Sequence, residues 1–137
     1  MSRSGYYDSC DGWDLIRWRG AVASAIRGKR GQAFLREMIA ALDAMPEKRL
    51  IVDALETETG DVCAIGAVGK ARGIDMAGVD PEDREAVAKL FGIAEAMAAE
   101  IVYENDEWGG HNSPENRWQR MRAWAADLIE PGGEDGA

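Results

Sequence analysis

The stretch "LIRWRGAVASAIRGKRGQAFLREMIAALDAMP", from Leu15 to Pro46, decides the fold class. Its apolar residues recur at helical spacing on both sides of a short break, "GKRG", which begins at Gly28. The first apolar face consists of Leu15, Trp18, Val22, Ala25 and Ile26, and the second, from about Gln32, of Phe34, Leu35, Met38, Leu42 and Met45. Because the break is short, the two predicted helices are neighbours in space.

The sequence downstream of this pair predicts further helices. "DPEDREAVAKLFG" carries a strong start signal, with Asp80 as N-cap, Pro81 at the first helical position and Gly92 as the end. "SPENRWQRMRAWAADLIE" repeats that signal with Ser113 as N-cap and Pro114 at the first position. Two other helices are predicted at 64–71 and from about 94 to 105.

The segment around residues 49–63 breaks the helical period. "RLIVDAL" is rich in β-formers, and "ETETGD" has the composition of a polar turn, so we expect a small two-stranded β-hairpin there. The predicted fold class is therefore mainly α (α+β), with about five to six helices and this one hairpin. We expect one globular helical domain over residues 1–130 and a disordered tail over 131–137.

Composition narrows the functional classes. The chain has 137 residues, a net charge of -9, one histidine and two cysteines, Cys10 and Cys63. This composition predicts no disulfide framework and no structural zinc, and it favours a reducing cytoplasm. We find neither a signal peptide nor an apolar run of membrane-spanning length, so we expect no membrane association.

The charge is distributed unevenly along the chain. Residues 1–50 carry nine Lys/Arg and six Asp/Glu, whereas residues 51–137 carry seven and nineteen. The segment from Leu15 to Arg36 contains no acid, and its cations are Arg17, Arg19, Arg27, Lys29, Arg30 and Arg36. Such asymmetry suggests a charged partner, and nucleic-acid binding by segment 17–36 is one alternative. A solvated helix face, partly neutralised by the acidic remainder, is the other interpretation.

The glycine-rich stretch "GDVCAIGAVGKARG" does not encode a nucleotide site. A phosphate-binding P-loop ending in Gly69-Lys70 would need glycine at position 64 and a hydroxyl at position 71, but both are alanine. Its small residues instead predict a helix with a thin face that packs closely on a neighbour.

The segment "YENDEWGGHNSPE" is the best candidate for chemistry. It places Glu104, Asp106, Glu107 and His111 close together in sequence, so a metal-dependent enzyme at 104–111 remains an alternative. No recognisable motif pairs a nucleophile with His111. We therefore predict no catalytic residue, no metal and no cofactor, and we expect the protein not to be an enzyme.

Arginines beside tryptophans suggest a protein-binding surface. The chain has five tryptophans, and Arg and Trp are typical anchors of interfaces. The candidate partner-binding residues are Arg17, Arg19, Lys29, Arg30, Trp108, Arg120 and Trp124. The alternative is that the tryptophans close the edges of a small core.

Four segments carry a family resemblance: "WRGAVASAIRGKRGQAFLREMIAALDAMPEKRLI", "GDVCAIGAVG", "EIVYENDE" and "SPENRWQRMRAW". Together they resemble a group of uncharacterised small proteins encoded by temperate phages and prophages of Proteobacteria. The group has no assigned activity, so the resemblance implies no catalytic or binding residue. It implies an accessory phage protein in the cytoplasm of the bacterial host. We expect a non-enzymatic protein that binds a host or phage protein, and in a sharper form inhibits a host defence complex by covering its nucleic-acid-binding surface.

Overall fold

The structure, a computed structural model, describes residues 12–106 and 113–131. These residues contain six α-helices and no β-strand, which confirms the mainly helical class predicted from the sequence. The helices are α1 (Gly12–Arg27), α2 (Lys29–Ala44), α3 (Ala64–Arg72), α4 (Arg84–Phe91), α5 (Glu95–Asp106) and α6 (Pro114–Leu128).

A single residue separates α1 from α2. Gly28 has an extended conformation (φ -69°, ψ 164°), and the next two residues, Lys29 and Arg30, already belong to α2. The break is thus shorter than the four residues that the sequence suggested. Gly31 makes this tight connection possible, because a Cβ at this position would overlap the carbonyl oxygen of Ala25. The predicted contact between the two helices is confirmed.

Helix α2 lies at the centre of the core. It packs on α6 and α3, while α5 packs on α4 and α1. The apolar stripe predicted for α2 is buried almost completely. The largest fully buried apolar side chains are Leu35, Met38, Leu42, Leu50, Leu55, Ile65, Met97, Ile101 and Met121. All of these except Leu50 and Leu55 lie on helices, so helix-on-helix packing supplies most of the core.

The predicted β-hairpin at 49–63 is wrong. Its only β-type pairing is an isolated antiparallel bridge between Glu56 and Val62. The first predicted strand is interrupted at Asp53, whose φ of 68° lies in the left-handed region that extended strands do not use. The β-forming composition of "RLIVDAL" reflects burial of Leu50 and Leu55 in the core rather than strand pairing.

Groups of α5 and α6 share the backbone hydrogen bonding of residues 50–51 with the predicted second strand, of which Val62 still accepts from the Ile51 N–H at 3.0 Å. Asn105 Nδ2 donates a hydrogen bond to the carbonyl oxygen of Ile51 at 2.9 Å. Arg117 Nη1 donates to the carbonyl oxygen of Leu50 at 3.1 Å. The Leu50 N–H donates to the carbonyl oxygen of Pro114 at 3.0 Å. With these groups satisfied, the segment lies against the helices as an irregular connection.

Most predicted helix ends are correct, and two starts, those of α2 and α4, are displaced. Ser113 Oγ accepts a hydrogen bond from the N–H of Asn116, as expected of the N-cap of α6. Gly92 ends α4 in the left-handed conformation. Asp80 is not the N-cap of α4, because Asp83 fills that place and accepts from the Ala86 N–H. Asp80 instead accepts from the Glu82 N–H in the turn before the helix. Both aspartates therefore cap backbone N–H groups, and Asp83, the later one, marks the start of α4.

A paired arginine makes the fold sensitive to acid. Arg72 donates to both carboxylate oxygens of Glu37 at 2.7 Å, and these hydrogen bonds hold the pKa of Glu37 below its ordinary value of 4.5. A carboxyl with a lowered folded-state pKa adds stability above its unfolded pKa and loses it as pH falls through the folded pKa.

We therefore expect Glu37→Gln to be less stable than wild type above about pH 5 and equally stable in acid. Urea denaturation at a series of pH values measures this difference. Glu58→Gln is the control, because Glu58 is exposed in the 57–60 turn and has no partner among the described side chains. A difference for Glu37→Gln that persists at low pH would contradict the assignment.

Candidate protein-binding groove

A groove of about 1080 Å³ lies between α1, α5 and the end of α6. It exists because α1 packs on α2 and α5 but makes little direct contact with α6. Its floor is apolar and is formed by Leu15, Val22, Ala23, Ile26, Leu128 and Ile129. We call this feature the α1–α6 groove.

The walls of the α1–α6 groove carry opposite charges. Arg19 and Arg27 lie on the α1 side, where both line the groove eight residues apart. The facing wall is acidic and is formed by Glu100 and Glu104 of α5 together with Asp127 and Glu130 at the end of α6. The groove thus presents an apolar floor with a positive edge and a negative edge.

One buried side chain fixes the end of the groove. Gln32, only 6% exposed, donates from Nε2 to the carbonyl oxygens of Ile26 at 2.9 Å and Leu128 at 3.0 Å. Its Oε1 accepts from the Glu130 N–H at 2.8 Å. Gln32 therefore ties the end of α1 to the end of α6, across the junction where the groove floor closes. No sequence signal marked it, since a lone glutamine in a helix is usually exposed.

Replacing Gln32 with alanine should lower the free energy of unfolding by about 2–3 kcal/mol, because one buried and one part-buried carbonyl lose their donor and one N–H loses its acceptor. Hydrogen exchange at the Glu130 amide should accelerate in the same variant. Gln119→Ala serves as the control, since Gln119 is exposed on α6. Unchanged exchange at Glu130 would show that this side chain does not hold the two helix ends together.

The cations near the groove differ from most of the arginines elsewhere in the described residues. Arg19, Arg27, Lys29 and Arg30 are exposed and have no ion-pair or hydrogen-bond partner for their side chains in the described part of the chain. Arginines elsewhere are engaged with acids, as in the pairs Arg49–Asp61, Arg72–Glu37, Arg84–Glu95 and Arg122–Asp43. The strip from Arg19 to Arg30 is therefore positive charge available to a partner.

The other candidate binding residues lie in different places. Arg17 is two residues from Arg19 and so lies on the opposite side of α1. Arg120 is half-buried and donates to the carbonyl oxygens of Glu104 at 2.6 Å and Asn105 at 3.5 Å, so it caps the last turn of α5. Trp124 is half-buried against the core. Trp108 lies outside the described residues.

The structure thus brings only part of the predicted surface together. Arg19 lies in the groove wall, and Lys29 and Arg30 follow on the adjoining first turn of α2. The acidic wall was missed, although the spacing of Glu100 and Glu104 by four residues places both on one face of α5. What sequence could not show is that this face of α5 meets α1 and the end of α6.

A smaller groove of about 450 Å³ lies between α2, α3 and residues 59–62. Its charges already have partners: Arg49 pairs with Asp61 at 3.2 Å, and Lys70 donates to the Gly60 carbonyl oxygen at 2.7 Å. A ligand there would have to displace these contacts, so the α1–α6 groove is the better candidate for binding.

The residues suspected of chemistry have structural contacts where they are described. Asp106 accepts hydrogen bonds from Asn105 and from the Asp53 N–H. Glu107 and His111 lie outside the described residues. Within residues 12–106 and 113–131, no group of three potential metal ligands is present.

The cysteine in the described chain caps a helix. Cys63 is buried at the start of α3, and its Sγ accepts from the Gly66 N–H at 3.3 Å. Burial raises the pKa of the Cys63 thiol to about 12. The thiol is therefore neutral at physiological pH, and its reactive thiolate form is suppressed.

Comparison of the chain with family models, curated proteins and solved structures found no match. None of the helices in the described segments has both the length and the apolar character needed to cross a bilayer. Function is therefore inferred from the α1–α6 groove and the charges around it.

Proposed function

We propose that this protein is a non-enzymatic accessory protein of phage or prophage origin that binds another protein through the α1–α6 groove. The supporting observation is the combination of an apolar floor with exposed cations along one wall that have no side-chain partner within the described residues. A concave apolar surface rimmed by polar groups is typical of sites that bind a partner. The proposed site of action is the bacterial cytoplasm.

Charge suits a partner that itself binds nucleic acid. Proteins that bind nucleic acid present positive surfaces. The groove has an acidic wall, and residues 51–137 as a whole carry seven Lys/Arg and nineteen Asp/Glu. Inhibition of a host defence complex by covering such a surface is the biological form of the proposal that the acidic wall favours, with Arg19 and Arg27 contacting acidic groups of the same partner.

Direct nucleic-acid binding is the second candidate. Arg19, Arg27, Lys29 and Arg30 favour it, because they are exposed cations without partners in the described chain. The opposing wall of the groove argues for protein, because Glu100, Glu104, Asp127 and Glu130 would repel phosphate groups held by Arg19 and Arg27.

Affinity co-purification from host lysate tests the proposal. The tagged protein should retain a stoichiometric partner after nuclease treatment. Arg27→Glu should lose that partner, whereas Lys89→Glu should keep it. The two variants are matched, because Arg27 and Lys89 are both exposed cations in the last turn of a helix, and Lys89 lies outside the groove.

Two results would contradict the proposal. Recovery only of nuclease-sensitive material, lost in a Lys29→Ala/Arg30→Ala variant, would establish the nucleic-acid alternative. A protein partner retained equally by Arg27→Glu and Lys89→Glu would show that binding occurs away from the α1–α6 groove.

A further inference from the structure

We infer that the α1–α6 groove binds an amphipathic α-helix of its partner, with basic residues along one edge of the apolar face and acidic residues along the other. This inference rests on the proposed function and specifies the chemistry of the occupant. Three features of the groove support it: its length, its walls and its charge.

The length of the floor fits a helix of a few turns. Along α1 the floor extends from Leu15 to Ile26, which corresponds to about 16 Å at the helical rise per residue. A bound helix of the same extent has about three turns and presents apolar side chains at positions such as i, i+4 and i+7. The floor residues Val22, Ile26, Leu128 and Ile129 offer the apolar surface that such a stripe would cover.

The walls are helices on both sides, which leaves a concave site between them. α1 provides one wall, α5 and the last turn of α6 provide the other, and α1 and α6 are not packed closely together. A helix seated here would pack on α1 and α6 as a further helix of the bundle. Grooves of this kind are a recurrent way to recognise a partner helix.

The charges specify which helix fits. Arg19 and Arg27 are about 12 Å apart along α1, so carboxylates spaced by seven or eight residues on the occupant can reach both. Asp127 and Glu130 in the acidic wall favour lysines or arginines on the opposite edge of the occupant. A helix with two acidic edges is repelled by the acidic wall, and a helix with two basic edges is repelled by Arg19 and Arg27. The helix with one edge of each sign satisfies both walls.

Three synthetic peptides test this inference by fluorescence anisotropy with the full-length protein. Each has about 18 residues and the same leucine stripe, and they differ only in their edges: one edge lysine and one glutamate, both lysine, or both glutamate. The mixed peptide should bind most tightly. The double variant Arg19→Glu/Arg27→Glu should weaken the mixed peptide by about tenfold and should now prefer the peptide with two lysine edges.

The single variants supply the matched control. Arg27→Glu should weaken binding of the mixed peptide, and Lys89→Glu, with the same change in net charge, should not. Circular dichroism of each variant verifies that the fold is retained. The inference is overturned if no peptide binds at concentrations up to about 1 mM, or if the three peptides bind alike. It is also overturned if Arg27→Glu and Lys89→Glu have equal effects.

Other occupants give distinct results. A dimer that dissociates in Arg27→Glu, seen by light scattering, would assign the groove to a second copy of the chain. Peptide binding that appears only after deletion of residues 2–11 or 132–137 would assign it to the protein's own end segments. If co-purification yields a partner that depends on Arg27 while all three peptides fail, the proposed function stands and the helical occupant is rejected.

Discussion

Replacing Gly66 with alanine should lower the free energy of unfolding by about 3 kcal/mol or more. An alanine Cβ at this position would overlap the carbonyl oxygen of Leu55 and lie 3.3 Å from Cβ of Val62. The obstacle is backbone, so no rotamer change can relieve it. Helix α3 would have to move away from Leu55, which breaks the hydrogen bond from the Cys63 N–H to the Leu55 carbonyl oxygen.

Gly20→Ala is the matched control for this experiment. Gly20 also lies within a helix, but a Cβ there meets nothing within 4 Å. Alanine is the better helix former, so Gly20→Ala should raise the stability by about 0.5–1 kcal/mol. Urea denaturation of both variants measures the two effects. If Gly66→Ala were as stable as wild type, the close approach of α3 to Leu55 would be incorrect.

The second large effect is expected at Asn105, which is only 1% exposed. Its Oδ1 accepts from the Ala64 N–H at 3.1 Å, and its Nδ2 donates to the carbonyl oxygen of Ile51 at 2.9 Å and to Oδ1 of Asp106 at 2.7 Å. One side chain therefore joins α5 both to the start of α3 and to the irregular segment before it. Asn105→Ala should cost about 3 kcal/mol, since it leaves buried backbone groups without partners.

An aspartate at position 105 distinguishes the contribution of the hydrogen bonds to stability from the contribution of packing. Asn105→Asp keeps the shape and the acceptor for Ala64, but it places a carboxylate against the Ile51 carbonyl oxygen and Asp106. The folded-state pKa of the new carboxyl should be raised, so the variant should be least stable relative to wild type at neutral pH and should recover as pH falls.

Asn116→Ala controls for the loss of an asparagine, because Asn116 is exposed in the first turn of α6. Stability measured at pH 7 and pH 4 for all three variants and wild type completes the test. A penalty for Asn105→Asp that does not depend on pH would refute the assigned roles of the two amide atoms.

The helices could be read from the sequence because their causes are local. Apolar spacing places the buried face of α2, and the hydroxyl of Ser113 before Pro114 starts α6. The start of α4 was misplaced because Asp80 and Asp83 are both able to cap. The local sequence does not decide which of the two aspartates caps the helix. In the structure, Asp80 caps the preceding turn and Asp83 caps α4.

The hairpin and the groove could not be predicted for a different reason: both depend on residues distant in the chain. Ile51 pairs with Asn105, and Leu50 with Arg117, so the β-forming composition of this segment misled a local interpretation. The groove likewise needs α1, α5 and the end of α6 to meet, and Gln32 holds two of them together. Arg19 was chosen as a candidate binding residue from its charge, but the acidic residues that face it across the groove were not.

The position of Leu15 and Pro131 has a practical consequence. Both line the α1–α6 groove, and each lies close to a point where the chain leaves the described fold. A candidate partner helix joined through a flexible linker directly before residue 12 or directly after Pro131 would therefore start beside its own binding site. Tethering of this kind provides an effective concentration in the millimolar range, so even a weakly bound helix would be held in place. Single-chain fusions offer a direct route to a structure of the occupied groove.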